Sequence, residues 1–95
     1  MGPVSAVTLY VHGELRAYCG GASELPLEAR SVRGVLAEIE RRHRALYPNV
    51  CDETGAVRRH LNVFVNADHI RDLDGIDTVL VPGDVVTILP AVSGG

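Results

Sequence analysis

The residues with the most defined chemistry lie at the end of the sequence, which reads Pro90–Ala91–Val92–Ser93–Gly94–Gly95. The segment that follows Pro90 reaches about 16 Å when fully extended. Glycine has no Cβ, so Gly94 and Gly95 fit a narrow channel and can place the terminal carboxylate against the reactive atoms of another protein. The carboxylate is ionised at neutral pH and can attack the α-phosphate of ATP, which forms an acyl-adenylate. The carbonyl of that adenylate is then open to sulfide, to a persulfide or to an amine.

No other set of residues has the spacing of a catalytic or metal-binding motif. The sequence lacks the G-x-S-x-G, H-E-x-x-H, phosphate-loop and G-x-G-x-x-G patterns. The histidines, which do not have the spacing of metal ligands, are His12, His43, His60 and His69. Cys19 and Cys51 are too few and too far apart for a disulfide framework or a zinc site. We therefore expect no catalytic residue, no metal and no bound cofactor.

The composition predicts one small domain. The 95 residues are 46% hydrophobic with a formal charge of -3, and a chain this short builds a modest core with little room for a catalytic cleft. All nine basic residues are arginines, so the chain offers no Schiff-base lysine, no phosphate-loop lysine and no isopeptide acceptor. The acidic balance argues against nucleic acid as a partner. No membrane segment or secretory leader is visible, so we expect a cytoplasmic protein.

Alternation of apolar and polar residues predicts a hairpin near the N-terminus. Its first strand spans Ser5–His12, and its second spans Leu25–Ala29, after Gly20 and Gly21. Because Pro26 has no N–H to donate to a ladder, the second strand is expected at a sheet edge.

An amphipathic helix is predicted after the hairpin, with Ser31 as its N-cap. Its apolar positions recur at helical spacing: Val32, Val35, Leu36, Ile39, His43 and Leu46. The opposite face carries charges, including the i,i+4 pairs Glu38–Arg42 and Glu40–Arg44. The polar stretch Asn49–His60 is predicted to be a loop.

Two further alternating runs predict the remaining main strands, at Leu61–Asn66 and at Val85–Leu89. A short segment at His69–Arg71 lies between them, and a Pro82–Gly83–Asp84 turn precedes the last strand. This order favours an α+β fold in which a small mixed sheet packs on one main helix. We expect the first and last strands to be neighbours in that sheet.

The last strand is expected to end its ladder pairing at Pro90, because proline cannot donate a backbone hydrogen bond. The folded domain is therefore predicted to span residues 1–90. Residues 91–95 are predicted to form a flexible tail that ends in Gly94–Gly95.

A single helix covers one face of such a sheet and leaves the other face uncovered. The residues expected to face the helix are Val7, Leu9, Val11, Leu61, Val63 and Val65. The alternation then places Tyr10 and Phe64 on the uncovered face. The last strand adds either Val85, Thr87 and Leu89 or Val86 and Ile88. Exposed apolar residues on a small domain mark a partner surface; a loop over the aromatic residues, or a reversed assignment of the faces, is the alternative.

The sequence resembles the ThiS/MoaD family of ubiquitin-like sulfur-carrier proteins. The resemblance rests on Leu61–Asn66, on the Pro82–Gly83–Asp84 turn, and above all on the ending Val85–Gly95. It covers nearly the whole chain, because the first strand, the helix over Ser31–Leu46 and the strand order also match the β-grasp fold of that family.

The resemblance implies a function for both the sheet face and the tail. Gly95 is expected to be adenylated by an E1-like, ThiF/MoeB-type enzyme that uses ATP and Mg, and then to be converted to a thiocarboxylate. The tail residues that thread the active site of that partner are Val92, Ser93 and Gly94. Tyr10, Phe64 and Leu89 are expected to dock the activating enzyme and later a sulfur-accepting biosynthetic enzyme, which turns Val86 and Ile88 inward. The protein is then a cosubstrate and not an enzyme.

Within the family, the long connection over residues 46–60 and the ending over residues 87–92 look most like the CysO-type carriers of cysteine synthesis, a type that also serves some natural-product pathways. The small subunit of molybdopterin synthase shares the Gly–Gly ending and is an alternative. A ubiquitin-like modifier that forms isopeptide bonds, and an interaction module whose glycines have no chemical role, are two more.

Overall fold

The computed structural model describes residues 4–91, and in this part of the chain the elements follow the predicted order. The strands are β1 Ser5–Val11, β2 Glu24–Ala29, β3 Leu61–Val65, β4 Asp68–His69 and β5 Val85–Pro90. The α-helices are α1 Val32–Arg42 and α2 Tyr47–Val50. Short 3-10 helices span Gly13–Cys19, Ile70–Asp72 and Gly75–Asp77. The predicted tail residues Val92, Ser93, Gly94 and Gly95 lie outside the described residues.

The strands form one mixed sheet in the order β2-β1-β5-β3-β4. β1 and β5 are parallel neighbours at its centre, and the other pairs are antiparallel. A parallel pair needs a crossover connection, and α1 lies within the connection between β1 and β5. The predicted α+β architecture, with the first and last strands adjacent, is confirmed.

Strand β2 lies at the sheet edge, as its proline predicts. Pro26 is opposite Thr8 in the β1–β2 ladder. The backbone N–H of Val11 donates to Ser23 O at 2.9 Å, so the backbone groups of Ser23 point toward β1. Along an antiparallel strand, residues whose backbone groups point toward the partner strand alternate with residues whose groups point away from it. Pro26 therefore occupies an outward-directed position, where its missing N–H removes no bond from the ladder and reduces the pairing capacity of the open edge.

Helix α1 covers one sheet face and closes the core. Ser31 is the N-cap, and its Oγ accepts a hydrogen bond from the N–H of Gly34 at 3.2 Å. The helix buries Val32, Val35, Leu36 and Ile39. The sheet residues that complete this core include Val7, Leu9, Val11, Val63, Val86 and Ile88, each at most 4% exposed.

Helix α1 ends at Arg42, four residues before the predicted end at Leu46, so that prediction is wrong. His43 leaves helical geometry, with φ -129° and ψ 61°. The chain then turns back, and the N–H of Leu46 donates to His43 O at 2.9 Å. That turn places Leu46 in the core, where it is 0% exposed. The apolar spacing in the sequence therefore continues to Leu46 although the helix has already ended. The Glu38–Arg42 pair forms at 3.3 Å, whereas Arg44 lies beyond the helix end.

The stretch predicted as a loop from Asn49 to His60 contains more order than a polar loop. It begins in helix α2 and includes an antiparallel bridge between Cys51 and Val57. Cys51 is 1% exposed, and burial raises the pKa of its thiol. Between the bridged residues, Asp52 Oδ1 accepts hydrogen bonds from the N–H groups of Thr54 and Ala56. Cys51 is thus a core residue and not a reactive thiol.

Strand β5 pairs through Pro90, contrary to the expectation that this residue ends the ladder. Pro90 is in register with Leu61, and the N–H of Ala91 donates to His60 O at 2.6 Å. Backbone N–H groups alternate in direction along a strand, so the proline nitrogen faces away from β3 and its missing N–H leaves that ladder intact. The pairing of β5 therefore extends to Ala91.

Within residues 4–91, no helix is both long enough and apolar enough to cross a membrane.

Replacing Ser31 with alanine is expected to lower the free energy of unfolding by about 1 kcal/mol, because the helix loses its side-chain cap. Denaturant titration followed by circular dichroism measures the change. Ser31→Asp is the matched variant, since it keeps an oxygen at the cap and adds a negative charge at the helix N-terminus. We expect it to remain close to the original stability, and equal losses in both variants would contradict a capping role.

Candidate functional site

One row of side chains crosses the sheet on the face opposite α1. The cross-strand partners in this row, from β2 to β4, are Glu24, Tyr10, Thr87, Phe64 and His69. Direct partners lie on the same face of a sheet, so the register itself brings the two predicted aromatic residues together. Tyr10 and Phe64 both flank Thr87 and both remain partly exposed.

A second row lies one step nearer the C-terminal end of β5. Leu89 is opposite Asn62 of β3, and on the other side the N–H of His12 donates to Ile88 O at 3.1 Å. Val86 and Ile88 are fully buried, whereas Thr87 and Leu89 are partly exposed. The inward and outward residues predicted for the last strand are therefore correct. We call the partly exposed surface formed by Tyr10, Phe64, Thr87, Leu89 and Asn62 the open face.

Polar neighbours hold Tyr10 at one side of the open face. The ring of His12 stacks on Tyr10 with centroids 6.2 Å apart and an interplanar angle of 26°. A hydrogen bond to the Glu24 carboxylate, together with its negative charge, raises the pKa of the Tyr10 hydroxyl. The phenol therefore stays protonated and neutral throughout the physiological range.

At the other side of the open face, Phe64 packs against His69. The two rings meet edge to face, with centroids 5.1 Å apart and an interplanar angle of 69°. His69 Nε2 lies 3.0 Å from Asn62 Oδ1, and its Nδ1 accepts a hydrogen bond from the N–H of Arg71 at 3.1 Å. The ring is thus fixed by one side-chain contact, one backbone contact and one aromatic contact.

A tight turn between β3 and β4 places His69 in this position. Val65 pairs with Asp68, so only Asn66 and Ala67 connect the two strands. Asn66 has a φ of 55°, a left-handed conformation that asparagine tolerates better than most residues. Its side chain also joins the turn to the start of β5, since Oδ1 accepts from the N–H of Val85 at 3.0 Å.

The structure brings together Tyr10, Phe64 and Leu89, which the sequence assigned to one patch. A loop over these residues and a reversed face were the alternatives, and neither occurs within residues 4–91. The alternation of the first strand places His12 on the same face as Tyr10, whereas Asn62 and His69 were not predicted as members or neighbours of the open face. The alternation could have identified Asn62, because it lies two residues from Phe64 in the same strand. The sequence predicts a short segment at His69–Arg71, but its position beside Phe64 depends on the β3–β4 register.

Strand β5 of the open face directly precedes, in sequence, the residues predicted to carry the chemistry. Thr87 and Leu89 belong to β5, whose pairing ends at Ala91. The predicted functional residues Val92, Ser93, Gly94 and Gly95 follow directly in sequence and lie outside the described residues. Across residues 4–91, His, Cys, Asp and Glu form no group of three or more that could hold a metal ion.

Comparison with known proteins identifies relatives that span almost the whole chain. A model of the ThiS family matches residues 9–95. The sulfur carrier protein CysO of Mycobacterium tuberculosis is 31% identical over 91 residues, which cover 94% of this chain and 98% of that protein. Its crystal structure matches with a TM-score of 0.82 over 90% of this chain and 99% of that one, at 30% identity.

Two further solved structures match at similar levels. Small archaeal modifier protein 1 of Methanosarcina acetivorans has a TM-score of 0.84 and 32% identity, covering 99% of this chain and 100% of that one. A chain from the BexX/CysO complex of Amycolatopsis orientalis has a TM-score of 0.84 and 32% identity, covering 95% and 100%. These likenesses confirm the predicted ubiquitin-like β-grasp fold.

Replacing Glu24 with glutamine is expected to lower the pKa of Tyr10 toward its ordinary value, because the negative charge that opposes phenolate formation is removed. The measurement is an NMR titration of the Tyr10 ring carbon that bears the hydroxyl. Tyr47 is the internal control, since burial is the main cause of its raised pKa. A Tyr10 titration identical in both proteins would contradict the contact with Glu24.

Proposed function

The chain belongs to the ThiS family of ubiquitin-like sulfur carriers, and on that premise we propose that it carries sulfur as a thiocarboxylate at Gly95. One observation carries the proposal: the family match runs through residue 95, and the strand that leads to this residue forms part of the open face. In this proposal, β5 and the short segment after it connect the surface that binds the partner to the residue that reacts.

The proposed reaction begins with the carboxylate of Gly95. It attacks the α-phosphate of ATP in the active site of an E1-like, ThiF/MoeB-type partner, pyrophosphate leaves, and an acyl-adenylate forms. The partner also binds the Mg that accompanies ATP. The sulfur atom of a sulfide ion then attacks the adenylate carbonyl, AMP leaves with the former carboxylate oxygen, and a thiocarboxylate remains. The thiocarboxylate donates its sulfur to a biosynthetic enzyme that makes cysteine or a sulfur-containing natural product.

The residues near the C-terminus suit this chemistry. Gly94 and Gly95 carry no side chain that would obstruct a narrow active site, and we propose that Val92 and Ser93 enter the partner with them. The chain contains no lysine, so it offers no side-chain amine of that kind to capture its own activated carbonyl. In this reaction the protein is a cosubstrate and the partner is the catalyst.

We assign docking of the partner to the open face, with Tyr10, Phe64 and Leu89 as its apolar contacts. Aromatic side chains supply large contact areas at protein interfaces with little loss of conformational freedom. Phe64 is held from the side by His69, so its ring is already ordered before a partner binds. Preorganisation of this kind reduces the entropic cost of association.

The likeness to CysO supports a role in sulfur transfer to a biosynthetic enzyme, and the BexX/CysO complex supports action through a partner protein. The likeness to small archaeal modifier protein 1 supports a second candidate, in which the activated Gly95 is joined to an amine of another protein. Both functions begin with the same adenylate. They differ in the nucleophile, so conjugates linked through lysine of other proteins would favour the second candidate.

Incubation of the protein with ATP, Mg, sulfide and a ThiF/MoeB-type enzyme is expected to replace one oxygen atom by one sulfur atom, measured by intact mass spectrometry. Fragmentation should locate the change at Gly95, and deletion of Gly95 should abolish it. Cys19→Ser is the matched control, because the change must persist without this half-buried thiol. A persulfide on cysteine would instead add a whole sulfur atom. An unchanged mass with an enzyme that modifies another ThiS family member would contradict the proposal.

Replacing Phe64 with aspartate is expected to raise the KM of the activating enzyme for the protein about tenfold or more, since a charge replaces a central apolar contact. The rate of thiocarboxylate formation is measured over a range of protein concentrations. Val79→Asp places the same charge on an apolar residue that is 71% exposed and is bridged to Ser31. Equal effects of the two substitutions would contradict docking through the open face.

A further inference from the structure

The hydrogen bonds around His69 determine which ring nitrogen carries its proton. A backbone N–H can only donate, and the N–H of Arg71 is directed at Nδ1, 3.1 Å away. Nδ1 must therefore be the accepting nitrogen, and in the neutral ring the proton resides on Nε2. Nε2 then donates to Asn62 Oδ1, 3.0 Å away.

The same argument determines the orientation of the Asn62 amide. Its oxygen is directed to the Nε2–H of His69, so a flipped amide would put two donors face to face. The amide nitrogen of Asn62 is consequently the free end. No hydrogen bond joins it to any other residue of the 4–91 range, although the side chain is only partly exposed. It lies on the same face as Leu89, its cross-strand partner.

We propose that Asn62 presents an oriented N–H donor on the open face to an acceptor oxygen of the activating enzyme, and that His69 is the positioning residue that fixes this orientation. The acceptor is a carbonyl or carboxylate oxygen of the partner. This inference rests on the proposed function, in which the open face docks that enzyme. The Asn62 donor adds a polar contact to a surface whose other proposed contacts, Tyr10, Phe64 and Leu89, are mainly apolar.

The physical basis is the asymmetry between a satisfied and an unsatisfied donor. An amide N–H that docking covers without an acceptor costs about 5-fold or more in affinity, whereas a matched acceptor avoids that loss. A partner without the oxygen is therefore rejected even when its apolar surface fits. Fixing the amide in advance removes the freedom that a solvent-exposed asparagine would lose on docking.

The central test replaces the donor by an acceptor of the same shape. Asn62→Asp keeps an oxygen for His69 Nε2–H and presents a second oxygen where the N–H donor was. We expect the KM of the activating enzyme for the protein to rise about tenfold or more, with little change in kcat and in the unfolding temperature. Thr8→Asp adds the same charge to β1 and controls for charge alone. An equal KM for Asn62→Asp and the original protein would overturn the inference.

Two substitutions of His69 separate positioning from packing. His69→Phe keeps an aromatic ring against Phe64 and loses both hydrogen bonds, whereas His69→Gln keeps an N–H donor for Asn62 and loses the ring. If His69 acts through Asn62, the KM is nearer to the original in His69→Gln than in His69→Phe. The reverse order would show that His69 only packs against Phe64, and would overturn its positioning role.

The tautomer can be measured without the partner. Long-range proton–nitrogen NMR spectra of the neutral ring should show an unprotonated Nδ1 and a protonated Nε2 for His69. The opposite tautomer would overturn the inference. Failure of the original protein to acquire a thiocarboxylate contradicts the proposed function. Normal thiocarboxylate formation with an unchanged KM in Asn62→Asp contradicts the inference alone.

Discussion

The strict alternation of β1, β3 and β5 is the constraint on which the rest of the structure depends. Each of these strands buries every second residue in the core that includes the apolar face of α1, and Leu9, Val86 and Ile88 are completely buried. Because the side-chain period of a strand is two, a shift of one residue would exchange the buried and open faces of that strand. The burial that stabilises the domain thereby also determines which side chains a partner meets.

The parallel pairing of β1 with β5 gives this constraint a functional consequence. It sets Tyr10 beside Thr87, and the antiparallel β3 sets Phe64 on the other side of the same residue. Tyr10 and Phe64 are 54 positions apart in the numbering, and the central strand places them on opposite sides of the same residue, Thr87. Strand β5 therefore has three roles: it supplies buried residues to the core, it separates and aligns the two aromatic residues, and it leads toward Gly95.

The features that the sequence predicts are those with a local physical cause. The alternation at Val7, Leu9 and Val11 predicts a strand because these residues are buried on one face, and Ser31 predicts the start of a helix because its side chain caps the first turn. The features it misses depend on contacts made elsewhere in the chain. Leu46 continued the apolar period because a turn, and not the helix, carries it into the core. Pro90 was expected to end the ladder, but the direction of its nitrogen depends on the register with Leu61. The position of His69 depends on the left-handed Asn66 in the turn before it.

The paired length of β5 also limits the geometry of any activating partner. The backbone is still hydrogen-bonded at Ala91, and residues 92–95 span at most about 14 Å when fully extended. In the proposed reaction, a partner that binds the open face must therefore place the α-phosphate of ATP within about 14 Å of Ala91. The described domain meets this requirement because its backbone is hydrogen-bonded up to Ala91. Under the proposed function, specificity then arises from the match between the open face and the partner, because the burial pattern of β1, β3 and β5 determines which side chains the partner contacts.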